Sequence, residues 1–159
     1  MGVEIERKFL VNTALWHPQT PGTLYRQGYV SQVQNPTVRI RIAGNQGFIT
    51  LKGQTQGTVR SEYEYAIPVE DAQEMLDQWC KPRMVEKVRY RVPIDHLVWE
   101  VDVFEGRNQG LVLAEVELDH PDVSINLPPW VGQEVSEDAR YYNSNLAQHP
   151  YITWAEHKP

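Results

Sequence analysis

The chain has 159 residues, of which 41% are hydrophobic and 23% are charged, and its formal net charge is -6. These values are ordinary for one globular domain, and they exclude collagen, coiled-coil and intrinsically disordered classes. A single cysteine, Cys80, excludes an intrachain disulfide and a cysteine zinc cluster. No run of about 18 apolar residues and no apolar signal segment occurs. We therefore expect a single cytoplasmic domain over residues 1–159, with a C-terminal tail from about residue 149.

Charge is unevenly distributed along this sequence. Between Arg7 and Ser61 there are seven basic residues and no carboxylate, whereas from Glu100 onward there are eleven acids and three bases. The net acidity by itself argues against a polyanionic partner, and we expect no nucleic-acid or membrane partner. The two oppositely charged parts could also satisfy each other across the fold, so the distribution alone does not identify a ligand.

Alternation of apolar and polar residues with a period of two predicts strands along most of the chain. Eight candidate strands occur in this order: Val3–Val11, Leu24–Gln32, Val38–Ile42, Gly47–Lys52, Arg60–Tyr65, Lys87–Val92, Trp99–Val103 and Ala114–Leu118. A helix is predicted over Glu70–Trp79, and a weaker one over Ala139–Gln148. Short sequential strands favour an antiparallel meander, so the predicted fold class is α+β, mainly β.

The polar face of the predicted strands is almost wholly charged. On the first strand Glu4, Glu6 and Lys8 share one face, and Val3 and Ile5 lie on the other. A sheet with one face in water usually carries mixed polar residues on that face. Closing eight strands with the charges inward would instead form a charged tunnel. We therefore predict an eight-stranded antiparallel closed barrel with a charged lumen and a few outer helices.

Basic pairs on two strands indicate which ligand such a lumen would take. Arg39 and Arg41 are two residues apart, as are Arg89 and Arg91. Guanidinium groups match phosphate oxygens in a bidentate fashion, so these pairs can grip neighbouring phosphates. Carboxylates on the same face would repel phosphates unless they hold divalent cations, and Mg²⁺ takes carboxylate and phosphate oxygens together. The sequence therefore predicts a polyphosphate site with a basic wall and an acidic wall.

The charged motifs of these strands resemble those of a known family, the CYTH superfamily, also called triphosphate tunnel metalloenzymes. The segment Glu4-Ile5-Glu6-Arg7-Lys8-Phe9 matches its Glu-x-Glu-x-Lys signature, and matches continue in order to Arg140-Tyr141-Tyr142-Asn143. The short length and the opening are most like the small bacterial members that hydrolyse inorganic triphosphate. The resemblance implies metal-dependent hydrolysis of tripolyphosphate to pyrophosphate and phosphate, with two Mg²⁺ or Mn²⁺ ions as cofactors.

The resemblance also implies roles for individual residues. Tyr29 and Lys87 correspond to catalytic residues, with Tyr29 as the proton acceptor and Lys87 as the cation that lowers its pKa. The residues implied to bind substrate phosphates are Lys8, Arg39, Arg41, Lys52, Lys87 and Arg89. Those implied to bind metal are Glu4, Glu6, Asp102, Glu115 and Glu117, and Glu62 and Glu64 would extend the acidic wall.

Two other functions remain open from the sequence. On the same fold, the phosphate-binding residues could orient ATP for cyclisation, as in class IV adenylate cyclases. They could also bind thiamine or nucleoside triphosphates for hydrolysis. A barrel that binds polyphosphate without hydrolysing it would carry the same charges. A plug at the far end of the tunnel, for which the Ala139–Gln148 helix is a candidate, would affect substrate length. A homodimer is also left open.

Overall fold

The alternating segments form strands in a computed structural model that describes residues 2–33 and 35–154. The strands are β1 (Val3–Val11), β2 (Thr23–Tyr29), β3 (Thr37–Ala43), β4 (Gln46–Lys52), β5 (Val59–Ile67), β6 (Met84–Ile94), β7 (Leu97–Phe104), β8 (Val112–Glu117) and β9 (Val131–Glu134). The eight predicted strands are confirmed as β1 to β8. The short β9 was not predicted, because the sequence Val-Gly-Gln-Glu contains only one large apolar side chain.

The first eight strands close into an antiparallel barrel. Their order around the barrel is β5-β4-β3-β2-β6-β7-β8-β1, and the ring closes where Val3–Ile5 of β1 pair with Val59–Ser61 of β5. β9 lies outside this ring and pairs with the end of β1. The predicted closed barrel is therefore confirmed, with one additional strand.

The register of the strands places charged side chains opposite one another inside the barrel. Lys8 lies opposite Glu115 on neighbouring strands β1 and β8, and Arg89 lies opposite Asp102 on β6 and β7. Because side chains alternate between the two faces of a strand, the intervening apolar residues point outward. They form buried clusters on the outside of the barrel, around residues such as Trp99 and Ile40.

The helix after β5 covers one of these outer clusters. It begins as α1 (Val69–Met75) and continues as a π-helical turn over Leu76–Cys80. The helix predicted over Glu70–Trp79 is therefore confirmed, but its last turn is π-helical. The π-helical turn has wider spacing than an α-helix, and it buries Cys80 while leaving Trp79 51% exposed.

The C-terminal helical segment closes one end of the barrel. The weaker helix predicted over Ala139–Gln148 is interrupted at Tyr142, giving a 3₁₀ turn (Ala139–Tyr141) followed by α2 (Asn143–Gln148). Leu146 of α2 is completely buried in a cluster with Val85, Phe104 and Leu113. These three residues have the same strand parity as the charged residues of the lumen, so α2 seals the interior with an apolar plug.

Shorter segments complete the described chain. Further 3₁₀ turns cover Lys81–Arg83, Gly106–Asn108 and Tyr151–Thr153. In the tail predicted from about residue 149, the ring of Trp154 packs against the rings of Tyr141 and Tyr151. Residues 155–159 of the tail lie outside the described residues. No helix among the described residues is long and apolar enough to cross a membrane.

Candidate active site

A charged cavity of about 200 Å³ occupies the inside of the barrel. It is bordered by all but one of the residues selected from the sequence: Glu4, Glu6, Lys8, Tyr29, Arg39, Arg41, Lys52, Glu62, Glu64, Lys87, Arg89, Glu115 and Glu117. Residues far apart in sequence meet there because seven different strands contribute side chains of the same parity. The exception is Asp102, which lies behind the cavity wall.

Asp102 anchors two of the basic residues. Its Oδ2 accepts a hydrogen bond from Nζ of Lys87 at 2.7 Å, and its Oδ1 accepts one from Nε of Arg89 at 2.7 Å. Arg89 also donates to Oε1 of Glu115 at 3.0 Å. Burial opposes ionisation of Asp102, but the charges of Arg89 and Lys87 outweigh it and lower its pKa. With both oxygens engaged, Asp102 holds the basic wall in place in this structure.

The basic wall is crowded and only partly neutralised. Burial, together with the charges of Arg39 and Arg89, lowers the pKa of Arg41 to about 9. The guanidinium groups of Arg41 and Arg89 both lie over the ring of Tyr25, at 4.7 and 4.8 Å from its centroid. In Arg39, Nη2 donates to Thr50 and Glu64, but the buried Nε has no partner among the described residues. Such a cluster of like charges is stabilised by an anionic ligand.

The two remaining lysines of the cavity are held differently. Nζ of Lys52 lies 3.1 Å from Oε1 of Glu4 and 3.4 Å from Oε2 of Glu62. Nζ of Lys8 donates instead to the main-chain oxygen of Tyr141 at 3.1 Å. Lys8 is thereby placed by the C-terminal segment, and not by the carboxylate of a neighbouring strand.

The acidic wall is centred on Glu6 and Glu115, whose carboxyl groups interact with each other inside the barrel. Burial and the neighbouring charges of Glu115 and Glu4 raise the pKa of Glu6 well above its usual range. Burial disfavours the charged form of Glu115 as well, but Lys8 and Arg89 hold its pKa well below the usual range. The pKa values of the two carboxyl groups are therefore shifted in opposite directions.

These oxygens suit a hard divalent cation. Burial and the carboxylates Glu4 and Glu62 also raise the pKa of Glu117, so the wall has a surplus of negative charge. Among residues 2–33 and 35–154, no three His, Cys, Asp or Glu side chains are already gathered around one point. Hard divalent cations are also held in proteins by one or two carboxylates together with substrate phosphates, and the carboxylates of this wall fit that mode of binding.

Two amide side chains, the buried Gln27 and the half-buried Asn143, connect the two residues assigned to catalysis. Nε2 of Gln27 donates to the hydroxyl of Tyr29 and to Oδ1 of Asn143, each at 3.2 Å. Oδ1 of Asn143 also accepts from Nζ of Lys87 at 2.9 Å. Lys87 was expected to lie beside Tyr29, but the hydrogen bonds of the described residues join them through Gln27 and Asn143. Burial lowers the pKa of Lys87 to about 7, and nearby Arg89 and Arg41 add to this effect while Asp102 opposes it.

Sequence reasoning assigned no role to several residues of this site. Gln27, Thr50 and Tyr25 contact the arginines, and Asn143 contacts Lys87. Strand parity could have identified Gln27, since it is two residues from Tyr29 on the same face of β2. Asn143 carried no comparable signal, because it begins a short helix whose position depends on tertiary packing.

A closed antiparallel barrel with a basic wall and an acidic wall facing its lumen is the architecture that the sequence resemblance implies. The sequence match places the chain in a family: it belongs to the CYTH domain family, whose model matches residues 2–151. The fold and the resemblance expected from the sequence are thereby confirmed.

Two curated relatives and one solved structure are similar to this chain over nearly its full length. The chain is 44% identical over 156 residues to an inorganic triphosphatase of Acetivibrio thermocellus, covering 98% of this chain and 100% of that protein. It is 42% identical over 153 residues to an inorganic triphosphatase of Nitrosomonas europaea, covering 91% and 96% of the two chains. A crystal structure of an inorganic triphosphatase superposes with a TM-score of 0.65 at 38% identity, covering 91% of this chain and 97% of that one.

Proposed function

We propose that this protein is an inorganic triphosphatase that hydrolyses tripolyphosphate to pyrophosphate and phosphate with a divalent metal ion. The observation that carries the proposal is the crowded cluster formed by Arg39, Arg41 and Arg89, which faces a cavity of about 200 Å³. Repulsion within the cluster is relieved by a ligand with several negative charges. The similarity to inorganic triphosphatases over nearly the full chain supports the same substrate.

The shape of the lumen favours a small linear substrate over a nucleotide. One end of the barrel is filled by Leu146 of α2 and its apolar partners. The cavity lining is dominated by charged and hydroxyl side chains, and few apolar surfaces are available on which a base could stack. We therefore place the whole triphosphate, and no nucleoside, inside the barrel.

The residues of the basic wall and those of the acidic wall have different roles in the proposed reaction. We assign Lys8, Arg39, Arg41, Lys52 and Arg89 to binding the phosphate oxygens, because each borders the cavity with donors only. We assign Glu6 and Glu115, with Glu4 and Glu117 beside them, to holding two ions of Mg²⁺ or Mn²⁺. When bound, such ions neutralise phosphate charge and polarise coordinated oxygens. Glu62 and Glu64 hold Lys52 and Arg39 in position, and Asp102 holds Lys87 and Arg89.

Hydrolysis requires water to attack the terminal phosphorus in line with the bridging oxygen. A bond forms between the water oxygen and phosphorus, the bond from phosphorus to the bridging oxygen breaks, and pyrophosphate leaves. We assign the proton released by water to the uncharged form of Lys87, and Tyr29 completes the catalytic pair through the amides of Gln27 and Asn143. A pKa of about 7 leaves Lys87 partly uncharged near neutral pH, so that it can accept a proton. Positioning and charge neutralisation provide most of the rate enhancement, as in other phosphoryl transfers.

The proposal is tested by measuring phosphate release from tripolyphosphate with Mg²⁺ or Mn²⁺, and with ATP and thiamine triphosphate as alternative substrates. We expect phosphate and pyrophosphate in equal amounts from tripolyphosphate and much slower turnover of ATP. Pyrophosphate with a cyclic nucleotide from ATP would identify a cyclase instead. Tight binding of tripolyphosphate without release of phosphate would identify a binding protein.

A further inference from the structure

The C-terminal segment contributes polar groups to the lumen as well as an apolar plug. The main-chain oxygen of Tyr141 accepts from Lys8, and Oδ1 of Asn143 accepts from Lys87. Tyr142, Asn143 and Ser144 all border the cavity. The segment that closes the barrel therefore also forms part of the wall that a substrate would contact.

The orientation of the Asn143 amide is determined by its neighbours. Nε of Arg41 donates to Oε1 of Gln27 at 2.8 Å. A guanidinium group has no acceptor, so Gln27 must turn its NH₂ group away from Arg41 and toward Asn143. Lys87 likewise only donates when charged. Oδ1 of Asn143 thus receives two donors, and rotating the amide by 180° would place its NH₂ against both of them.

This orientation leaves the Nδ2 group of Asn143 for a ligand. The described residues provide no hydrogen-bond partner for Nδ2, yet Nδ2 is not among their buried unsatisfied atoms. Since Asn143 borders the cavity, its free N–H groups are accessible from the lumen. Linear polyphosphate presents acceptor oxygens along its whole length, and a fixed neutral N–H donor complements them without adding charge.

We propose that Asn143 is a substrate-binding residue, whose side-chain NH₂ group donates to a phosphate oxygen of the triphosphate while Gln27 and Lys87 fix its orientation. This inference rests on the proposed function, because the triphosphate is the ligand considered. It gives Gln27 a positioning role, since Gln27 acts through Asn143 and does not border the cavity.

The test compares Asn143→Ala and Asn143→Asp with the wild-type protein. Asn143→Ala removes the donor and the acceptor, whereas Asn143→Asp keeps an acceptor for Lys87 and Gln27 but replaces the donor with a charged oxygen. A hydrogen bond to a charged group corresponds to about a tenfold or greater change in affinity. We expect both variants to raise KM for tripolyphosphate by at least about tenfold, with a smaller effect on kcat for Asn143→Asp.

A binding measurement that is independent of turnover accompanies the kinetics. Tripolyphosphate added in the presence of a metal chelator should raise the Tm of the wild-type protein, because a ligand that binds only the folded state stabilises it. Both variants should show a smaller rise. The matched controls are Gln148→Ala and Gln148→Glu at the end of the same helix, outside the residues that border the cavity, and these should behave as wild type.

The results separate this inference from the proposed function. If both Asn143 variants fold with the wild-type Tm and keep KM and the ligand-induced Tm rise within twofold, Asn143 does not bind substrate. If only Asn143→Asp raises KM, the effect is charge repulsion at a distance, and the inference is equally wrong. If the wild-type protein binds tripolyphosphate but releases no phosphate, the proposed function fails, while the Tm comparison still decides the role of Asn143.

Discussion

Nζ of Lys87 lies 2.7 Å from Oδ2 of Asp102, and both side chains are only 1% exposed. Removing one member of a buried ion pair leaves an uncompensated charge in the interior. Asp102→Asn would leave Lys87 without its carboxylate partner and would leave Arg89 paired only with Glu115 and Glu100. We expect it to lower the free energy of unfolding by about 3 kcal/mol, measured by urea denaturation with a chelator present.

The matched variant for that experiment is Lys87→Met, which has a similar length and no charge. Asp102 would then keep its two hydrogen bonds from Arg89, so the loss of stability should be clearly smaller than for Asp102→Asn. Phosphate release should nevertheless fall by about 100-fold or more, as for removal of a proton-transfer group. Equal losses of stability in the two variants would contradict an anchoring role for Asp102.

The opposite pKa shifts of Glu6 and Glu115 lead to a second prediction. Because the pKa of Glu6 is raised well above its usual range, its carboxyl group favours the neutral, protonated form more than an ordinary glutamate does. Glu6→Gln retains a neutral hydrogen-bond donor to Glu115. We expect its Tm in chelator to equal that of wild type, but its further stabilisation by Mg²⁺ with tripolyphosphate to be much reduced.

Glu115→Gln provides the contrast, since Glu115 is the charged member of the pair and is bonded to Arg89. That change should lower the Tm even in chelator. A wild-type response of Glu6→Gln to Mg²⁺ would show that Glu6 holds no metal ion.

Replacement of Gln27 tests the hydrogen-bonded amides that connect Tyr29 with Lys87. Gln27→Met has nearly the same volume but leaves Nε of Arg41 without its acceptor and removes the donor to Tyr29. A buried unsatisfied polar group costs about 1–3 kcal/mol, and charged groups cost more, so unfolding should become easier by at least this amount. Gln27→Glu keeps the acceptor for Arg41 and should recover most of the stability. It should not recover kcat, because the donor to Tyr29 is still lost.

The pair formed by Arg7 and Glu134 gives a pH-dependent prediction outside the lumen. Hydrogen bonds from Arg7 and Ser136 lower the pKa of Glu134 despite partial burial. A carboxyl group with a lowered pKa in the folded state stabilises the protein above its unfolded pKa, and this contribution disappears as the pH falls through the folded pKa.

Glu134→Gln should therefore be less stable than wild type at pH 7 and equally stable well below pH 4.5, where both states are protonated. Since the side chain of Glu134 is 37% exposed, solvent screening should keep the difference at pH 7 below about 1 kcal/mol. Urea denaturation at both pH values measures it. A difference that persists at low pH would mean that the loss comes from packing of β9 on β1.

The barrel and most of the lumen were predictable because a strand has a fixed two-residue period. That period places Glu4, Glu6 and Lys8 on one side of β1, whichever strands lie next to it. On β5 the same period places Tyr63 on the face opposite to Glu62 and Glu64, outside the barrel, yet Tyr63 is 52% exposed. Periodicity gives the face of a side chain, and only the packing of helices and loops decides whether an outward face is covered.

The contacts of Asp102 and the position of Asn143, which was not selected from the sequence, depend on packing between distant elements. Asp102 has the same parity as the carboxylates that border the cavity, yet its oxygens are taken by Lys87 and Arg89. Asn143 reaches Lys87 only because Leu146 inserts into the end of the barrel. Neither outcome is determined by local spacing along the chain.

The hydrogen bonds from Lys8 and Lys87 to the C-terminal segment also make completion of the lumen depend on a late step of folding. The hydrogen bond from Lys8 to Tyr141 spans 133 residues, and that from Lys87 to Asn143 spans 56. Contacts of long sequence separation carry a large loop-closure entropy and tend to form late. A chain that has completed its strands but has not yet docked α2 would leave Lys8 and Lys87 without these partners, so α2 must dock before the lumen is competent.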